Sequence, residues 1–150
     1  MYDELDVKNM TKEEKLKLVK DVAEASPFYK TLGIKVVDMS DGIGRLEIDN
    51  LEPLRQPAGL VHGGALASLA DSAMAVAILS LDQRPRQFAT IEMKINYILP
   101  VSDGKVTAEA KVIRRGKRVI FGECNIFNSK NKLVAQALLT FIYLEPDGTC

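Results

Sequence analysis

Residues 61–71 read VHGGALASLAD and hold the chain's only histidine, two glycines and one carboxylate in an otherwise apolar, alanine-rich run. These residue types suit acyl-transfer chemistry. A helix leaves its first N–H groups without intrahelical acceptors. Gly63 and Gly64 begin such a helix and bring no side chain to satisfy them. Glycine also lets a ligand approach the backbone, and the helix dipole favours negative charge there. Bare N–H groups aimed at an oxygen that gains charge during reaction constitute an oxyanion hole. The alternative is that the glycines only permit tight helix–sheet packing. Asp71 tips the balance, because a buried, unpaired carboxylate is costly and must be paired, neutralised or facing a cavity. A hydrogen-bonded core aspartate meets that demand too. Beside a glycine helix start, a nucleophile or general base opposite an oxyanion hole accounts for both features.

Asp71 lies eight residues beyond Gly63, which is about 12 Å along a helix axis. Its side chain leans back over only a small part of that distance. Both groups need to stand about 3 Å from one reacting carbon. One helix cannot achieve this with its own residues. Two antiparallel copies can, each supplying its glycine start to the other's Asp71, so the spacing predicts a site at a homodimer interface.

Other schemes fit less well. A Ser-His-Asp arrangement would have to use His62, and no GxSxG elbow is present. His62 has no His or Cys near it at ligand spacing, so neither a metal nor a cofactor is expected. Alone, such a histidine is more often a structural imidazole, although it could also orient the loop or a substrate carbonyl. RRGKR at 114–118 places four basic residues on a turn. Such clusters are usually solvated, but this one could hold a phosphate-bearing ligand.

The rest of the chain must position these groups. At 150 residues it forms one domain with room for a core. Twenty basic residues balance twenty acidic ones, which gives no general attraction to nucleic acid or anionic membranes. Cys124 and Cys150 have no metal-type spacing, and Cys124 reads as a buried, inert thiol. The charged N-terminus is neither a signal nor a transit peptide, so the cytoplasm is the default. Residues 65–81 are short for a membrane span and carry Asp71 near the middle, which marks a buried core helix.

Thr11 and Glu14 form a capping-box pattern ahead of a helix to Ala25, and PFYKTLG is a further short turn closed by Gly33. Strands are expected at 34–39 and 43–50, a loop at 51–62, and the core helix at 63–80. Four strands, 90–98, 105–114, 118–127 and 132–144, then follow as a meander, with SDG, RGK and NSKN at hairpin spacing. In the first of them Ile91, Met93, Ile95 and Tyr97 alternate with Thr90, Glu92, Lys94 and Asn96. A helix apolar on all sides must be enclosed, and the economical solution is an antiparallel sheet curled around it.

GLVHGGALASLADSA, ATIEMKINYILPVSDGKVTAEAKVIRRGKR and LVAQALLTF together resemble the hotdog-fold acyl-CoA thioesterases, specifically the PaaI-like group related to 4-hydroxybenzoyl-CoA thioesterases. The likeness covers roughly residues 27–144 and implies an α+β hotdog domain at 32–146 behind an N-terminal helical extension at 1–31. It implies side-by-side homodimers that often pair into tetramers. Placed by motif, Gly63 supplies the N–H that polarises the thioester carbonyl, and Asp71 of the neighbouring subunit is nucleophile or base for water. Gln56, six residues before His62, matches a position occupied by Asn or Gln near the thioester, and Gly64 adjoins it at the helix start. Thr90 falls where a Ser or Thr positions the attacking group. Arg115, Lys117 and Arg118 lie where the nucleotide end of coenzyme A can be met. The resemblance thus implies hydrolysis of an aryl- or medium-chain acyl-CoA, with neither nucleic acid nor membrane as partner.

Two other classes remain open at this point. A non-catalytic acyl-CoA-binding or sensing protein would find Asp71 expendable and would usually carry an output domain. A hydratase or dehydratase on the same fold would want a catalytic histidine paired with a carboxylate.

Overall fold

The computed structural model describes residues 7, 9–49, 51–81 and 86–145. Helix α1 spans Lys12–Ala25. Its capping box forms, with Glu14 N–H donating to Thr11 Oγ1 at 3.2 Å and Thr11 N–H donating to Glu14 Oε2 at 2.8 Å. Helix α2, Pro27–Leu32, starts on a proline and ends on Gly33 at φ 69°, a left-handed cap that glycine takes without strain. Strands β1 (Ile34–Ser40) and β2 (Ile43–Ile48) make the expected hairpin. A single 3-10 turn, Glu52–Leu54, punctuates the loop before helix α3, Gly63–Leu81. Strands β3 (Phe88–Tyr97), β4 (Val106–Arg115), β5 (Val119–Asn128) and β6 (Leu133–Tyr143) follow.

The six strands form one antiparallel sheet in the order β1-β2-β4-β5-β6-β3, and α3 touches every one of them. This is the hotdog arrangement. The expected four-strand meander needs correction, because only β4, β5 and β6 are consecutive neighbours. β3 lies beyond β6, and β4 pairs with β2. The SDG at 102–104 therefore belongs to a crossover, not a hairpin. Having carried the chain over the concave face, α3 leaves β3 at the far edge, and the chain must return before β4 can pair.

Glycines set the closeness of helix and sheet. A Cβ on Gly44 would stand 2.6 Å from the Ala77 backbone nitrogen, and one on Gly122 would collide with the Met74 side chain. Backbone therefore meets backbone there, as glycine in a strand allows. Leu69, Ala73, Met74 and Ala77 are fully buried against the sheet. By length and composition α3 could cross a membrane, but here it is the core. Helix α1 packs against β1 and buries Val19 and Ala23.

Enclosure of α3 is incomplete, which corrects the expectation of burial on all sides. Gly64 is exposed, Ala67, Ser68, Asp71 and Ala75 are half-buried, and the residues between them on the other faces are buried. These positions recur every three or four residues, so they form one open stripe. Asp71 lies on it.

Candidate active site

The loop ahead of α3 folds into a small ribbon. His62 N–H donates to the Leu54 carbonyl at 2.8 Å, Gln56 N–H donates to the Leu60 carbonyl at 2.7 Å, and Arg55 bridges to Val61. That register puts Gln56 and His62 on the same face of the ribbon. Val61 N–H donates to the Val101 carbonyl at 2.8 Å and ties the ribbon to the segment after β3. The Gln56 side-chain oxygen accepts the Ala58 N–H at 2.6 Å, so it shapes its own turn.

At the helix start the two glycine amides differ. Gly64 N–H donates to His62 Nδ1 at 2.8 Å. His62 is thus the cap of α3, and an accepting Nδ1 places the ring proton of a neutral imidazole on Nε2. The expectation of two bare amides narrows to one, because a histidine can reach back over its own helix. The Gly63 N–H has no acceptor among the described residues. Its surroundings are fixed: the His62 carbonyl accepts the Ala65 N–H at 3.0 Å, and the Gly63 carbonyl accepts the Tyr97 hydroxyl at 2.9 Å. The peptide linking Gly63 to Gly64 is therefore held at its oxygen by Tyr97 and at its N–H by His62. A Cβ on Gly63 would lie 3.0 Å from Tyr97 Cζ, so close packing and a bare amide coexist at this residue.

Asp71 is half-buried and receives the Thr90 hydroxyl on Oδ1 at 2.7 Å. Simple alternation would have placed Thr90 on the outer face with Glu92. A bulge at Ile91 prevents this: Thr90 pairs with Phe141, which points inward and is 2% exposed, whereas Glu92 pairs with Thr140 on the outer face. One extra residue re-aims a side chain in this way. Burial pushes the Asp71 carboxyl above the usual carboxylate range, and the Thr90 hydrogen bond pulls it partway back. Within one chain Asp71 and Gly63 do not converge. Each has its own partner on β3, Thr90 and Tyr97 respectively.

The basic turn sits at the other end of α3. Arg115 Nε donates to the Tyr143 hydroxyl at 2.9 Å, and its guanidinium reaches the Leu81 carbonyl at 3.3 Å, capping the helix C-terminus. Arg118 lies 3.8 Å from Glu145. The Lys117 carbonyl accepts from Arg86, whose guanidinium stacks 3.5 Å above the Tyr143 ring. Cys124 is buried and its thiol is pushed up to about 12, mainly by desolvation, which suits an inert core residue. Cys150 lies outside the described residues.

A chain with this sheet, an open glycine amide and a half-buried aspartate can be compared with known proteins. Residues 58–135 match the thioesterase superfamily. The chain belongs to that superfamily. It is similar to the medium/long-chain acyl-CoA thioesterase YigI of Salmonella typhimurium, at 24% identity over 89% of this chain and 96% of that protein. It is also similar to the 1,4-dihydroxy-2-naphthoyl-CoA hydrolase of Listeria monocytogenes, at 28% identity over 70% and 85% respectively. Among solved structures, Pseudomonas aeruginosa PA5202 superposes with a TM-score of 0.76 at 37% identity, covering 79% of this chain and 94% of that one.

For this thioesterase superfamily member, the fold brings Asp71 to Thr90 and groups Gln56, His62, Gly63 and Gly64 around the helix start. Arg115, Lys117 and Arg118 remain apart from both. Two residues gained importance only in three dimensions. Tyr97, inside the NYILP stretch, orients the Gly63 peptide, and its position on the inward phase of β3 was the available signal. Arg86 joins the basic turn from the far side of α3, with no local signal at all.

Proposed function

We propose that this protein is an acyl-CoA thioesterase whose site is completed across a two-fold homodimer. The observation that carries this is the placement of Gly63 and Asp71 two turns apart at the open side of α3. Two such stripes packed antiparallel bring each Gly63 N–H to the other subunit's Asp71, with the axis near Ala67. Small residues on the stripe suit a close approach, and β3 offers an edge for strand pairing across the same axis, with Ile91 54% and Tyr97 52% exposed. Phe121 and Leu138 on the outer face, 46% and 54% exposed, offer a contact for pairing dimers.

In this arrangement the thioester carbonyl accepts the Gly63 N–H. As nucleophile, an Asp71 oxygen bonds to the carbonyl carbon and the C=O pair moves onto oxygen. Collapse breaks the C–S bond, coenzyme A departs as a thiolate, and water then cleaves the resulting anhydride. As general base, Asp71 takes a proton from water while the water oxygen makes the same attack. Thr90 holds the carboxylate in either role, and His62 acts as a positioning residue through the cap. Gln56 and Gly64 border the thioester, and Lys117 and Arg118 meet the phosphates of coenzyme A while Arg115 braces the turn. Free-thiol release from a panel of acyl-CoAs tests this, with wild type beside Asp71→Asn. Turnover of at least one member is expected, with a loss of at least about 10²-fold in the variant. Full activity in Asp71→Asn would remove the catalytic assignment, and acyl-CoA binding without turnover would favour the sensor.

A further inference from the structure

We propose that the acyl group lies in an apolar groove inside each subunit, roofed by α1 and α2, and that the substrate class is a straight medium-length acyl chain. This rests on the thioesterase reading above and adds the acyl group to it. The groove has a volume of about 720 Å³. Ala75, Val76 and Leu79 of α3 and Phe88 of β3 form one wall, and Val22 of α1 and Tyr29 of α2 form the other.

Its near end adjoins Asp71 and Thr90 without including them. Ala75 is one turn from Asp71 on the same side of α3, and Phe88 shares the inward face of β3 with Thr90. From a thioester carbonyl held at Asp71, the groove therefore begins about one helical turn away, within reach of the acyl chain. The inner surface is largely apolar, with Asp21, Ser26 and Tyr29 as the lining residues that carry polar groups. Such a lining selects a group with no polar substituent to satisfy. Shape selects further: Leu79, the far lining residue on α3, stands eight residues beyond Asp71, about 12 Å along the helix and the length of an extended chain of roughly eight to ten carbons. An aromatic ring would fill only the first part. The volume is in the range of small-molecule sites, and a groove this apolar is better covered than left to water.

The test compares kcat/KM for acetyl-, decanoyl- and benzoyl-CoA in wild type, Ala75→Leu near the mouth, and Val22→Phe on the half-exposed face of α1. Decanoate affinity is measured calorimetrically in all three proteins. The decanoyl-to-acetyl ratio should fall at least about tenfold in each variant that folds, with a parallel loss of decanoate affinity. An unchanged ratio in folded variants, beside a wild type that does turn over, would overturn the groove and leave the activity standing. Variants that become monomeric and still turn over both substrates with the ratio intact would overturn the groove and the two-subunit site together. A benzoyl ratio that falls as far as the decanoyl one would overturn the straight-chain class. If no thiol is released but decanoate binds and the variants lose it, the groove stands and the thioesterase reading fails. Absence of both sinks both.

Discussion

The Thr90 hydroxyl on β3 donates to Asp71 Oδ1 on α3 at 2.7 Å, and it can do so because Ile91 is an extra residue in the β3–β6 ladder. Burial and this hydrogen bond act on the carboxyl in opposite directions, with burial the larger. The working carboxylate should therefore be lost as pH falls through a value above the ordinary range near about 4. Thr90→Val removes the opposing hydrogen bond, so the acid limb of the kcat/KM profile should move to higher pH. A limb that stays in place would separate Thr90 from the ionisation of Asp71.

The same shift has a consequence for folding. A carboxyl whose folded value is raised binds its proton more tightly in the native state, so stability falls as pH rises from the unfolded value through the folded one. Asn at 71 keeps an acceptor for Thr90 and carries no charge. Melting temperatures of Asp71→Asn should equal or exceed those of wild type at pH 7, with the gap closing in acid. A variant clearly less stable at pH 7 would contradict burial as the dominant influence.

The clamp on the Gly63–Gly64 peptide predicts a division of labour. Tyr97→Phe releases the Gly63 carbonyl without opening a cavity, and kcat should fall about tenfold with little change in KM, a fraction of the cost of losing an oxyanion donor outright. His62→Asn can still cap Gly64 and should retain most of kcat, whereas His62→Ala should lose about 1 kcal/mol of stability in urea titrations. Loss of turnover in His62→Asn with stability intact would point to direct imidazole chemistry.

Arg115, Lys117 and Arg118 of the basic turn should separate into two behaviours. Arg115→Met removes bonds to Tyr143 and Leu81 and should lower the melting temperature. Lys117→Ala and Arg118→Ala should instead raise KM several-fold, with a salt dependence weaker than that of wild type. The effect should be smaller for a dephospho-coenzyme A thioester. Equal effects on both thioesters would move the phosphate contact elsewhere.

Ser68→Arg places a charge on the open stripe of α3. It should yield monomers in light scattering and abolish thiol release while leaving the circular dichroism of the sheet intact. A fully active monomer would end the two-subunit site.

Much of this was legible in the chain as written. The capping pattern at Thr11 and Glu14, the glycine at 33 and the turn at 40–42 are local devices, and each forms where its residues stand. The Asp71–Thr90 contact was legible in its residues but not in its setting. Alternation grouped Thr90 with Glu92, and their separation onto two faces was hidden because a bulge is an agreement between two strands and β6 lies more than forty residues away. Likewise, histidine is not a customary helix cap, so the loss of one free amide to His62 was hidden. The place of β3 beyond β6 is a pairing between distant segments, which no pattern within one strand contains.

Gly44 and Gly122 leave the sheet side of α3 without slack, since any larger residue there must displace backbone or Met74. On the proposed groove, changes in what this protein accepts then fall to the opposite side, where Ala75 of α3 faces the two N-terminal helices. Lineages could retune the length of their cargo by altering α1 alone, while the chemistry at the helix start stayed untouched.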